Sequence, residues 1–330
     1  MCRPVRRRPA SWALVLLVLL LLGLPVPTLA HGPDPGAPDV STLVTGWSFH
    51  VEVWMPVLLA GWAYWAARRK VNRAHPGNPV PRFRWWCWAA GLVTLLVALT
   101  SPIERYDTTL FSVHMVQHLL LVFVAAPLLM LGAPITLLLR AATPDGRKRV
   151  ILPILHSRVM RVLAFPLVTW GLFALVMWGS HFSPLFDAAL EDPFIHLLEH
   201  GLFLATALLF WWPVVGADPG PHRLPHPARV GYLGLGMPFG SFLGLAIFSA
   251  TTVLYPHYAT LKRTWGPTPI DDQAMAGGIM WAGGDLAFLV ALVLAVAVWL
   301  RSEEATARRV DAQLDREVLA GVVSGTSEPT

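Results

Sequence analysis

Apolar residues run along this chain in blocks, and seven of the blocks are long enough to cross a bilayer. They lie near 47–67, 84–101, 110–131, 161–180, 194–215, 229–254 and 275–300. Between the third and fourth, Pro134 to Arg140 is apolar but too short to span, and is expected at the interface. The period-two alternation of barrel strands is missing. Helices, which satisfy their own backbone hydrogen bonds in lipid, are therefore the predicted elements. An eighth, shorter apolar run (Trp12 to Leu24) follows Arg3, Arg6, Arg7 and Arg8 and ends at Thr28-Leu29-Ala30, the pattern of a secretory signal peptide. An uncleaved anchor is the competing reading, weakened by the shortness of the run. The expected layout is a signal peptide at 1–30, an extracytoplasmic segment at 31–46, a seven-helix domain at 47–300 and a cytoplasmic tail at 301–330. The mixed charge of that tail suggests a short helical extension and then disorder.

Composition supports an all-α integral membrane protein. Of 330 residues, 55% are hydrophobic and 14% charged, with a mean hydropathy of +0.55, whereas soluble chains run near a quarter charged. The net charge of +5 does not point to nucleic acid, because the basic residues sit between apolar blocks. Arg68 to Arg84, Arg140 to Arg161, and Arg223 with Arg229 follow the first, third and fifth spans. The alternate loops carry mainly acids such as Glu104, Asp107, Asp187, Asp271 and Asp272, with Arg105, Lys262 and Arg263 as exceptions. Positive residues stay inside, so the N-terminus is expected outside and the C-terminus inside. Tryptophans at span ends (Trp47, Trp85, Trp86, Trp178, Trp211, Trp212) fit an interfacial belt, and Pro56, Pro127, Pro166 and Pro238 are expected to kink their spans.

Candidate chemistry then gathers on one side. With only Cys2 and Cys87, no disulfide framework or paired-cysteine site can form, so a metal would have to use histidine, methionine or carboxylate. His31, His50, His114, His118, His181, His196, His200 and His257 fall on the outer side or in the outer part of a span. Two pairs are spaced i,i+4 at the start of parallel spans, His114 with His118 and His196 with His200, so each pair shares a helix face. Asp192-Pro193 reads as an N-cap and first helical residue, which fixes the depth of the second pair. Ionisable groups inside spans are costly and tend to mark sites. Lone histidines such as His181 and His257 read instead as helix–helix hydrogen bonders. Glu199, Glu104, Asp271 and Asp272 are the acidic candidates, with His50 beside Glu52, and with Asp285 further along the seventh span. Imidazole suits copper, zinc, iron and nickel, whereas thioether selects Cu(I), so Met115, Met275 and Met280 tilt the reading towards copper. A mature terminus at His31 would add an amine and an imidazole suited to Cu(II).

The runs Ser101-Pro102-Ile103-Glu104-Arg105-Tyr106, His114-Met115-Val116-Gln117-His118 and Leu131-Gly132-Ala133-Pro134 resemble the CtaG-type cytochrome c oxidase assembly proteins of bacteria. His196-Leu197-Leu198-Glu199-His200 through Phe210-Trp211-Trp212-Pro213, and the stretch from Asp271 to Trp281, are similar to them too. The resemblance implies a non-catalytic, multi-pass protein of the bacterial plasma membrane that helps load copper into a haem–copper oxidase. It also implies His114, His118, His196, Glu199 and His200 as the functional core, with Glu104, Asp271 and Asp272 beside it, oxidase subunits as partners, and an extracytoplasmic copper donor. An unrelated single-span copper chaperone shares the name and uses paired cysteines, which this chain lacks. Two other classes compete: a bis-histidine haem b electron-transfer protein, and a zinc-dependent membrane hydrolase with Glu199 as base.

Overall fold

The computed structural model describes residues 36–325, with side chains as far as residue 317. The expected signal peptide and His31 lie outside the described residues. Every regular element among the described residues is helical. Seven helices take the places of the seven expected spans: α1 (Val51–Ala74), α2 (Arg82–Thr100), α3 (Phe111–Leu119, a π turn at Leu120–Ala125, then Ala126–Leu131), α4 (Pro166–His181), α5 (Pro193–Val215), α6 (His226–Phe248) and α7 (Pro269–Gly325). Five of them, α2, α3 and α5 to α7, are long and apolar enough to cross a membrane, and the chain is a multi-helix membrane protein. In α1 the residues Trp54, Trp62, Tyr64 and Trp65 dilute the apolar stretch, and α4 has only 16 residues. The apolar segment after α3 forms its own helix at Pro134–Ala141, entered through Ala133 in a left-handed conformation (φ 51°).

Local chemistry explains most helix starts. The Asp192 carboxylate accepts from the backbone N–H of Phe194 (2.8 Å) and Ile195 (3.2 Å), with Pro193 in the first turn of α5. Pro166 does not kink a span: Phe165 is extended and Pro166 opens α4, since proline fits a first turn but not a helix interior. Helix α3 begins differently. Its N-cap residue is Leu110, which has no acceptor, and the cap comes from Asp272 on α7. That carboxylate accepts from Phe111 N (2.7 Å), Ser112 N (3.3 Å) and Ser112 Oγ (2.5 Å).

Pro127 has a visible consequence. In the π turn before it the bonds run five residues back, as from Ala126 N–H to Leu121 O. By that pattern the missing N–H of Pro127 would have served Val122 O. The indole N–H of Trp211 donates to that carbonyl instead, at 2.8 Å. Trp211 and Trp212 are buried in the bundle and are not interfacial anchors, whereas Trp47 and Trp86 are exposed.

Elsewhere small residues set the helix spacing. A Cβ on Gly244 of α6 would lie 2.7 Å from Trp281 N and 2.9 Å from Gly277 O of α7, so these two backbones touch. Loop contacts close the two ends of the bundle. At one end Lys70 Nζ bonds Ala141 O (2.6 Å), the Arg140 guanidinium bonds Asn78 O, and His222 bonds Arg161 O (3.0 Å). At the other, Tyr258 OH bonds Asp107 O (2.9 Å) and Tyr255 OH bonds His181 O (3.2 Å), closing the histidine-bearing end. The tail departs from expectation: α7 runs unbroken for 57 residues to Gly325, supported on its surface by Glu304–Arg308 (3.6 Å) and Gln313–Glu317 (3.2 Å) pairs.

Candidate metal centre

The two i,i+4 pairs meet. Ring centroids lie 4.3 Å apart for His114–His118 on α3 and 4.2 Å for His196–His200 on α5. Across the helices His114–His196 is 5.4 Å and His118–His200 is 5.6 Å, so the four imidazoles form a quadrilateral between two helices running the same way. All four are buried.

Two buried carboxylates flank it. Glu199 Oε2 lies 3.9 Å from His114 Nε2, and Asp107 Oδ2 lies 3.8 Å from His196 Nε2. Two overlapping sets of three donors result, Asp107–His114–His196 and His114–His118–Glu199, each with ligand atoms within 4.8 Å of one another. Metal bonds of about 2.1 Å would draw such donors to roughly 3.4 Å in a tetrahedron, a contraction that side-chain rotation can supply. Both ring nitrogens of His114 and of His118, and both carboxylate oxygens of Glu199, are buried without a hydrogen-bond partner in the protein. Polar groups are costly to leave in that condition, and a cation bound to one lone pair of each ring and to the carboxylate would satisfy the acceptors among them. The residues fit a metal ion.

Neighbouring groups orient the rings. The Gln117 Nε2 amide donates to Ala98 O (2.9 Å), which turns its Oε1 towards His200. His200 Nε2 must then donate to Oε1 (3.0 Å), leaving the lone pair on Nδ1. His181 is fixed the opposite way: its Nδ1–H donates to Met177 O (2.7 Å), and Nε2 is buried without a partner. Its ring lies 6.4 Å from that of His118.

Other residues singled out from the sequence lie outside this sphere. His50 bridges Glu52 (3.3 Å) and Glu104 (3.1 Å), half-buried at the same end of the bundle. Both Asp272 oxygens are taken by the start of α3, while Asp271 is exposed and accepts from Thr268 Oγ1 at 2.5 Å. Met115 is buried beside His118, Met275 is half-exposed, and Asp285 accepts from Ser241 Oγ (2.6 Å). His257 makes the structural bond expected of a lone histidine, donating from Nε2 to Thr108 O (2.9 Å). Three buried residues beside the site were not among the expected ligands: Asp107, Gln117 and His181. Asp107 stands directly after the Ser101–Tyr106 run and reads as loop charge, and Gln117 stands inside the first histidine pair. His181 belonged to the outer-side histidines but, standing alone on its span, read as a structural hydrogen bonder.

A helical membrane bundle with a closed histidine–carboxylate cluster near one end defines a class of metal-competent membrane proteins. Within that class the family is definite: residues 62–302 match the cytochrome c oxidase caa3 assembly factor family, and the chain belongs to it. It is 32% identical over 290 residues to uncharacterised proteins of Mycobacterium bovis and Mycobacterium tuberculosis, covering 86% of this chain and 44% of each of those proteins. A Mycobacterium leprae relative is 32% identical over 288 residues, 85% of this chain and 43% of its own length. The chain thus spans less than half the length of the curated relatives it matches. No solved structure matches it.

Proposed function

We propose that this chain handles copper for a cytochrome c oxidase of the haem–copper type, in the bacterial plasma membrane, with the histidine-bearing end outside and the basic end inside. The role is non-catalytic: copper is cargo, taken from an extracytoplasmic donor, held by His114, His118, His196, His200 and Glu199 with Asp107, and passed to the oxidase. One observation carries this reading. The ring nitrogens of His114 and His118 and both oxygens of Glu199 are buried with nothing in the protein to bond them, which leaves one lone pair on each ring and the carboxylate open to a cation. His50 with Glu104 stands at the more exposed rim, placed to meet an arriving ion. Basic loops gathered at the opposite end support the orientation.

A bis-histidine haem would need a planar slot between its axial ligands. The cavity beside His118 has a free volume of only ≈ 10 Å³, far too small for a macrocycle. Elemental analysis and a visible spectrum of the purified full chain separate the alternatives. Copper should be retained by the wild type and lost in His118→Ala/His200→Ala, with no Soret band. Equal copper in the double variant overturns the assignment, a Soret band replaces it with haem, and zinc in place of copper revives the hydrolase reading.

A further inference from the structure

A small cavity lies deeper in the bundle than the quadrilateral. Its donors come from three helices: Met115 and His118 of α3, Met177 and His181 of α4, and Met280 of α7, and the rest of its wall is hydrocarbon. The free volume, ≈ 10 Å³, is about that of one water-sized body. Spacings of three residues on α3 and four on α4 put each helix's two donors on one face.

We infer that this cavity is a second, inner metal site selective for Cu(I), and that His118 is the ligand it shares with the outer centre. The inference rests on the copper reading above. Three observations support it. The wall holds two imidazoles and three thioethers and no carboxylate, and thioether sulfur selects Cu(I) among biological cations. A charge in an apolar cavity costs a self-energy that rises with its square, so a wall of neutral donors favours a monovalent ion over a divalent one. The outer centre, with Glu199 and Asp107, has the opposite preference. Methionines often merely fill cores. Two buried imidazoles do not fill a core without cost, and here the donor from Nδ1 of His181 to Met177 O leaves an Nε2 lone pair with no bond in the protein. His118 is unpartnered at both nitrogens, belongs to the donor set with His114 and Glu199, and also lines the inner cavity. The two sites form successive stations, from charged and hard to neutral and soft.

The test uses the full chain in detergent, loaded anaerobically with Cu(I) against a competing chelator and read by copper X-ray absorption. Sulfur scatterers should accompany nitrogen in the wild type. Met177→Leu/Met280→Leu, a nearly volume-neutral exchange, should lose the sulfur signal and weaken Cu(I) retention by more than the roughly tenfold typical of a lost outer-shell partner. Binding of Zn(II) by the outer centre should be unchanged. Copper surrounded only by nitrogen and oxygen in the wild type, or a sulfur signal that survives both substitutions, overturns the inner site and leaves the outer one standing. A wild type that binds no metal ion overturns both.

Discussion

Asp272 and Glu199 are buried to nearly the same degree, at 1% and 2% exposure, yet they have opposite circumstances. Asp272 spends both oxygens on the first turn of α3, accepting two backbone N–H groups and the Ser112 hydroxyl. Glu199 accepts nothing and faces His114 at 3.9 Å. Burial alone therefore separates carboxylates poorly. One completes a helix terminus that its own N-cap residue cannot cap, and the other offers lone pairs that only a proton or a cation can occupy. Structural and functional acids are distinguished by what already bonds them.

Removing Asp272 should produce the larger effect. Asp272→Ala leaves two N–H groups and a hydroxyl buried without an acceptor, and we expect a loss of about 3 kcal/mol in stability, seen as a lower thermal midpoint in detergent. Metal content should fall only in step with the folded fraction. Glu199→Gln should behave in the reverse manner. Replacing a buried, unpartnered carboxyl by an amide of equal size leaves stability within about 1 kcal/mol of the wild type or raises it, while metal retention drops by roughly tenfold or more. If Glu199→Gln unfolds the protein, or Asp272→Ala strips metal from a fully folded one, the contrast fails. Gln117→Leu should produce the smallest change. It frees the His200 tautomer without removing a ligand, so metal affinity should weaken by about tenfold with the same donor set in the absorption spectrum.

The sequence displayed the histidine pairs because helix periodicity is strict within one element, and His114–His118 and His196–His200 obey it at 4.3 and 4.2 Å. Equal depth on α3 and α5 followed from the Asp192-Pro193 start, which the structure reproduces with Asp192 bonded to Phe194 and Ile195. What crosses between distant segments was not legible. Asp272 caps a helix 161 residues earlier, which no local pattern announces. Asp107 looked like one more loop acid until the short helix Pro102–Asp107 placed it against His196. Trp211 looked like an anchor because it stands near a span end, and the carbonyl it serves, Val122 O, belongs to a helix 89 residues earlier. The tail shows the limit of composition: the charge mixture suggested an early end to order, yet pairs such as Glu304–Arg308 lie one turn apart on the continuing helix.

The π turn at Leu120–Ala125 gives α3 one residue more than its rise requires. Each residue turns an α-helix by about 100°, so the second half of α3 is offset from the first by about that angle. The first half aims His114 and His118 at α5, and the second seats Leu129 against Gly91 of α2. An unbroken helix could satisfy one of those contacts at the expense of the other. The turn thereby reconciles ligand placement at one end of the helix with bundle packing at the other.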